Sequence, residues 1–436
     1  MKVSLEDREG LFKSLLVEVQ GDIVRKNLEN VCQELVQNVE IEGFRKGKAP
    51  LWLIKARYKD YIREEVGKRV ADATLSKAIE ESGLKPAADI YLEEVQLEEK
   101  EEKVAYRVVF EVPPNFELKL QEIENLRVEI QKVEFKEEMV QEEINRLREQ
   151  HALWEPVDRE IKEGDLVVID YRVEDLESGE TSEGETTVIV GQRFLREEID
   201  KALLGKKEGE EVEVESVDLF DAEGKVVGKA KVKISIRAVK EKVLPEVSDD
   251  FAKELGLGDT WSSAEEKIRH MVKENLENYK KSLVEENVAK KLIELHEFEV
   301  PQTLLRRELG FLVDRRLREL SSFGIDTRYI NIQGLAQELL PQAIANIKLR
   351  YILDKYAQTK NLQAEEKDLE EEYTKLAQAY GVSPEQIKAD VQSRNLEEVI
   401  KGDVLRRKAL EDIMSKVQVI EVEEKKEKEE KQDENT

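Results

Sequence analysis

The sequence predicts an α+β protein of several domains, and three observations carry that prediction. Hydrophobic spacing changes along the chain: strand-like alternation and helical spacing mix at the start, alternation dominates the middle, and helical spacing fills the end. Glycine is unevenly spread, with none between Gly83 and Gly164 but eight of the 21 from Gly164 to Gly228. Of the 436 residues, 39% are charged and only 6% aromatic, with mean hydropathy −0.58. That balance suits an extended, surface-rich chain of roughly two to four domains rather than one globule.

Leu11 to Val19 reads as a strand, with Leu15, Val17 and Val19 alternating against Leu16 and Glu18. Gly21 and Asp22 turn it into a helix, with Asp22 as its cap. Val24, Leu28, Val31 and Leu35 recur at three and four residues and form the buried stripe, with Cys32 packed beside it. Pro50 starts a short helix, and a longer one follows through Ile62, Val66, Val70 and Ala73, ended by Gly83 and Pro86. Alternating strands are expected near residues 89–98 and 103–112, and Pro113-Pro114 closes this first domain, residues 1–112.

Residues 113–155 read as a connecting arm, built from residues 126–133 and a charged helix near 135–151, too polar on its surface to build a core alone. Residues 156–244 read as a small twisted antiparallel sheet, with strands at 166–173, 186–190, 211–219 and 230–239 and one helix near 195–204. Residues 245–420 are expected to be all helical. Three stripes (Leu276, Tyr279, Leu283; Leu305, Leu309, Leu312; Leu340, Ile344, Ile347, Tyr351) read as bundle seams. The Glu/Lys tail at 421–436 has the composition of a disordered segment.

A net charge of −27 argues against bulk binding to free nucleic acid or to an anionic membrane. A single cysteine excludes an internal disulfide and suits a reducing compartment. Glu6, Asp7, Arg8 and Glu9 stand where a signal peptide needs an apolar run, and no window approaches the roughly 20 apolar residues of a membrane span. A soluble, cytoplasmic protein is expected. The three histidines are scattered and no phosphate-binding loop of the G-x-x-x-x-G-K-[ST] type occurs, so no cofactor, metal or nucleotide chemistry is expected. Work on a polypeptide then has to be passive: binding, holding and release.

One stretch departs from the acidic background. Between Phe44 and Arg69 nine Lys/Arg face three Asp/Glu, a balance of +6 that leaves −33 for the remainder. At its head, Gly43-Phe44-Arg45-Lys46-Gly47-Lys48-Ala49-Pro50 puts an aromatic on a polar loop tip among cations, a combination suited to phosphate and base-stacking contacts with a ribonucleoprotein.

This loop resembles the Gly-Phe-Arg-x-Gly-x-x-Pro docking signature of the trigger factors, bacterial chaperones of nascent chains, and the domain order resembles theirs over nearly the whole chain. The resemblance implies an N-terminal α+β ribosome-docking domain, an FKBP-like antiparallel sheet domain and an all-helical C-terminal chaperone domain. It implies docking through Gly43, Phe44, Arg45, Lys46, Gly47, Lys48 and Pro50 to protein and RNA of the large ribosomal subunit near the exit tunnel. Nascent and unfolded polypeptides are the implied clients, held without ATP, and a homodimer away from the ribosome is compatible with it. Val168-Ile169-Asp170-Tyr171, Gly191-Gln192 and Gly205-Lys206-Lys207-Glu208-Gly209-Glu210 resemble the FKBP-type prolyl isomerase domain that these chaperones carry.

By that pattern the isomerase pocket takes Tyr171, Phe194, Ile199 and Phe220. Such a pocket needs no titratable group, because an apolar basin that strips solvent from a twisted amide lowers the rotation barrier. Ile199 stands where a second aromatic is usual, Arg196-Glu197-Glu198-Ile199-Asp200 replaces an apolar segment, and the loop at 220–228 is short and lacks a tyrosine. Weak isomerase activity is therefore expected. The alternative is a dedicated prolyl isomerase that uses the helices only as substrate grips.

Overall fold

The computed structural model describes residues 1–99, 102–192, 196–220 and 226–423, and the chain divides into two units. Of the described residues, 1–130 and 284–422 make the first, and 131–283 with Glu423 make the second.

The first unit begins with β1 (Lys2–Asp7), β2 (Phe12–Gln20), α1 (Asp22–Asn38), α2 (Leu51–Arg57), α3 (Lys59–Ser82), β3 (Tyr91–Glu98) and β4 (Lys103–Glu111). The strands form an antiparallel sheet in the order β1-β2-β4-β3. Leu15, Val17 and Val19 of β2 meet Val24, Leu28, Val31, Cys32 and Leu35 of α1 in one core, as their spacing requires. Residue Gly67 lets α3 lie on β3, since a Cβ there would stand 1.9 Å from Val95 Cγ1.

Two local expectations are corrected, and one strand is added. Asp22 is not the cap of α1: Gly21 is, at φ 88°, and Asp22 is the first helical residue, paired with Arg25. Ala73 is exposed and Thr74 is buried instead, because four residues on from Val70 return to the inner face. The Thr74 hydroxyl donates to Val70 O (2.7 Å) and meets the Tyr106 hydroxyl at 2.8 Å. Strand β1 carries no sequence signal because five of its six residues are exposed, leaving no alternation to detect.

Residues 113–155 do not form one arm. Downstream of α4 (Leu120–Glu124) lies β5 (Arg127–Gln131), and Ile123, Leu126 and Val128 are buried among helical residues of the same unit. In the second unit, α5 (Glu137–Gln150) packs Val140 and Ile144 on Ile268.

The sheet of the second unit contains β6 (Leu153–Pro156), β7 (Leu166–Asp175), β8 (Thr181–Ile189), β9 (Glu211–Phe220) and β10 (Val226–Val243), with α6 (Glu197–Leu203) against it. Its order is β6-β10-β7-β8, and β9 also pairs with β10, all antiparallel. Two helices follow, α7 (Asp249–Glu254) and α8 (Trp261–Leu295); from Val284 on, the residues of α8 belong to the first unit.

The first unit resumes with α9 (Gln302–Ser322), α10 (Ile332–Thr359), α11 (Glu366–Tyr380), α12 (Pro384–Ser393), α13 (Glu397–Lys416) and β11 (Gln418–Val422). Pro301 is the N-cap of α9, and Pro341 lies inside α10. The core here joins Val288, Leu292, Ile352, Tyr356, Ala409 and Ile413 to Ile123 and Val128. The C-terminal part is not purely helical, since β11 pairs with β5. Of the expected disordered tail, residues 424–436 lie outside the described residues.

Candidate functional site

The loop at residues 43–50 is pinned at both ends and free in the middle. Ile41 and Ala49 are buried in the N-terminal core. Between them the chain makes two tight turns, with Phe44 N–H donating to Ile41 O (3.0 Å) and Lys48 N–H to Arg45 O (2.9 Å). Gly43 (φ 87°) and Gly47 (φ 81°) supply the left-handed backbone that a side chain would resist. Phe44 is 42% exposed at the tip, with Arg45, Lys46 and Lys48 also exposed. Pro50, at φ −64° and ψ 139°, stands one position before the first helical residue of α2 and is its N-cap.

Folding redistributes the basic charge of this region. Lys55 pairs with Glu99 (2.9 Å), Lys68 with Glu64 (2.5 Å), and Arg69 with Glu34 (2.7 Å) and Glu65 (2.8 Å). Among the described residues, Arg45, Lys46, Lys48, Arg57, Lys59 and Arg63 are exposed and form no ion pair. The positive field therefore gathers at the loop and the adjoining ends of α2 and α3, a narrower region than the sequence count implies.

In the second unit, Tyr171 on β7 lies opposite Gly184 on β8 and Ile234 on β10. A Cβ on Gly184 would stand 2.7 Å from the Tyr171 hydroxyl, so the phenol rests across that glycine. Tyr171 is half-buried on the wall of an open cleft of about 760 Å³ that Val212 and Ile234 also line. The cleft is charged as well as apolar: among its lining residues Asp170 pairs with Arg237, and Arg172 with Glu183 (3.3 Å).

Ile199 does not line this cleft. It is 8% exposed and packs with Leu203 and Val188 in the domain core. Asp200 is buried beside it with Oδ1 lacking a hydrogen-bond partner, so α6 carries a carboxylate inside the domain and not only on its surface. Phe220 ends β9, while Phe194 lies outside the described residues. Of the expected pocket residues whose side chains are described, Tyr171 stands on the wall of the cleft and Ile199 in the core.

The three helical stripes are mostly not seams. Leu276, Leu283, Leu305, Leu309, Ile344 and Tyr351 are half-buried, Tyr279 and Leu340 are exposed, and only Leu312 and Ile347 are buried. The buried face of α10 is Ala343, Ile347, Ile352, Leu353, Tyr356 and Ala357, which shares only Ile347 with the expected stripe. Large apolar residues stay open where helices turn: Phe323 (80% exposed) and Ile325 between α9 and α10, Ile332 at the start of α10, and Tyr380, Val382, Leu396 and Val399 along α11–α13. No helix among the described residues is long and apolar enough to cross a membrane.

A cationic, aromatic-tipped loop, a sheet domain with an open cleft and helices that leave apolar side chains in solvent define a protein that holds other polypeptides. Residues 1–147 match the family model for "Bacterial trigger factor protein (TF)", and residues 263–415 match the model for its C-terminus. A trigger factor of Aquifex aeolicus (strain VF5) is 54% identical over 416 residues, covering 95% of this chain and 86% of that protein. That of Caldicellulosiruptor saccharolyticus is 29% identical, covering 96% and 97%. A solved structure of the trigger factor chaperone shares 25% identity and a TM-score of 0.47, covering 95% of this chain and 99% of that one.

The chain belongs to the trigger factor family. Its members are ribosome-associated chaperones that carry a prolyl isomerase domain, and chaperoning is its function.

Proposed function

We propose that this protein docks through residues 43–50 beside the polypeptide exit of the large ribosomal subunit and shelters emerging chains in the cytoplasm without nucleotide hydrolysis. The observation that carries the reading is the loop: Phe44, Arg45 and Lys46 project between two buried pins, on an unpaired cationic patch in a chain of net charge −27. Cations facing an anionic particle supply affinity that salt weakens. Lys48 steers, and Gly43, Gly47 and Pro50 set the loop's shape.

The clients are unfolded and nascent polypeptides, met by the exposed apolar residues of α9–α13. Scattered apolar contacts separated by charge hold many sequences weakly and release them. The isomerase domain acts feebly. Ile199 in the core and ion pairs on the cleft wall support that, because catalysis of X-Pro rotation needs a basin stripped of water and charge. The same observations disfavour a dedicated prolyl isomerase.

The decisive experiment is co-sedimentation with large ribosomal subunits, wild type beside Phe44→Ala/Arg45→Ala/Lys46→Ala. The triple variant should lose binding, and wild-type binding should fall steeply with salt. Unchanged binding by the variant refutes the docking assignment. A protease-coupled proline-isomerisation assay with turnover equal to that of an intact FKBP-type domain refutes the weak-isomerase reading.

A further inference from the structure

Trp52 is 70% exposed on the first turn of α2, and the fold gives it nothing to do. Its neighbours on the same short helix are used: Ile54 is fully buried and Leu53 packs against the N-terminal core. The other two tryptophans are partly buried, and Trp261 stacks on Phe251 with ring centroids 6.1 Å apart. Trp52 is thus the one tryptophan left largely in water, where a large apolar ring gains nothing from burial.

Its position names its partner. The helix follows directly from the docking loop, with Leu53 N–H donating to Pro50 O at 3.0 Å. Lys48 lies four residues before Trp52, and Arg57 and Lys59 lie five and seven after it, all exposed and unpaired among the described residues. A tryptophan meant for a protein groove sits in a patch depleted of lysine. One meant for single-stranded RNA sits among cations that hold the phosphates while the ring stacks on a base.

We propose that Trp52 is a second aromatic anchor of the docking face, stacking on an unpaired nucleobase of the large-subunit RNA. The inference rests on the docking reading above and extends it beyond the signature loop. Phe44 at the loop tip and Trp52 at the base of α2 then grip the particle at two points, with Lys48 on the phosphates between them and Arg57 and Lys59 adding to the positive field.

The test uses the full chain with purified large subunits and four variants: Trp52→Ala, Trp52→Phe, Trp52→Leu and the loop triple variant. Trp52→Ala should weaken binding about tenfold, the loss expected for one stacked base. Its salt slope should stay at the wild-type value, because no phosphate contact is removed. Trp52→Phe should keep most of the affinity and Trp52→Leu should bind as poorly as Trp52→Ala, since only a flat ring stacks.

Wild-type tryptophan emission, after subtraction of the Trp52→Phe signal, should be quenched when subunits are added. Unchanged affinity of Trp52→Ala overturns the proposal. So does Trp52→Leu binding as well as Trp52→Phe, which indicates an apolar groove on a ribosomal protein. If the loop variant binds like wild type, the docking reading itself fails; if it loses binding while Trp52→Ala does not, only this inference fails.

Discussion

The buried carboxylate of Glu111, at the end of β4, caps helix α9: it accepts the backbone N–H groups of Gln302 (2.5 Å) and Thr303 (2.7 Å), residues nearly two hundred positions further along the chain. A helix start leaves orphan N–H groups and a partial positive charge, and an anion there satisfies both. Removing the carboxylate strands one buried donor, at Thr303, and one part-buried donor, at Gln302. Glu111→Ala should cost about 2–3 kcal/mol locally, the scale of charge-assisted bonds lost in a buried site. Hydrogen exchange at the first turn of α9 should accelerate accordingly, with Glu111→Gln intermediate. Wild-type exchange rates in Glu111→Ala would show that the cap is idle.

His296 sets a pH limit on the same unit. Its ring is buried, with Nδ1–H donating to Leu292 O (2.8 Å) and Nε2 accepting from Lys119 N–H (3.0 Å), a pattern that only the neutral ring satisfies. Burial pushes its pKa below the ordinary 6.5, and Lys119 and Lys355 add to this against the opposing Leu292 carbonyl and Glu122. The folded state then binds the proton less readily than the unfolded one. The resulting stability is complete above about pH 6.5 and is lost as pH falls below it. Urea midpoints of wild type should drop between pH 7.5 and pH 5.5 more than those of His296→Gln. Parallel curves for the two proteins would remove His296 from the account.

Gly184→Ala tests the cleft of the sheet domain. The new methyl meets only the far end of the Tyr171 ring, so the phenol moves aside at a cost of about 1 kcal/mol, the low end of overpacking. Proline-peptide binding and any residual isomerase activity should fall several-fold while the domain stays folded. Activity indifferent to this change would place the working surface elsewhere than the Tyr171 cleft.

The open residues between α9 and α10 should matter to clients and not to folding. Phe323→Ser with Ile325→Ser removes exposed apolar surface without touching the helical core. Stability should shift by less than about 0.5 kcal/mol, as surface substitutions do. Suppression of aggregation of a denatured protein, without ATP, should weaken clearly. Full suppression by the double variant would assign client binding to other apolar surface.

Much of the N-terminal domain was legible because one-sided burial writes a period into sequence. The stripe of α1 and the alternation of β2 fall where they were expected. The loop at residues 43–50 was legible for another reason: it sets an aromatic ring, costly to expose, among cations that no core would take. The small elements were not legible. Strands β6 (Leu153–Pro156) and β11 (Gln418–Val422) are mostly exposed and exist through partners distant in sequence, at Lys240–Val243 of β10 and on β5.

By itself, then, the sequence determined the α+β class, the acidic body with a basic exception and the cationic, aromatic-tipped loop at residues 43–50. Tertiary structure alone decided which apolar residues are core and which stay open, since Ile347 and Leu340 share one stripe on α10 yet only Ile347 is buried. It also decided which cations remain free, by bringing Glu99 to Lys55 and Glu34 to Arg69. The physical reason is the same in both cases: periodicity records that a side chain has a preferred face, and only the packed fold supplies, or withholds, what that face meets.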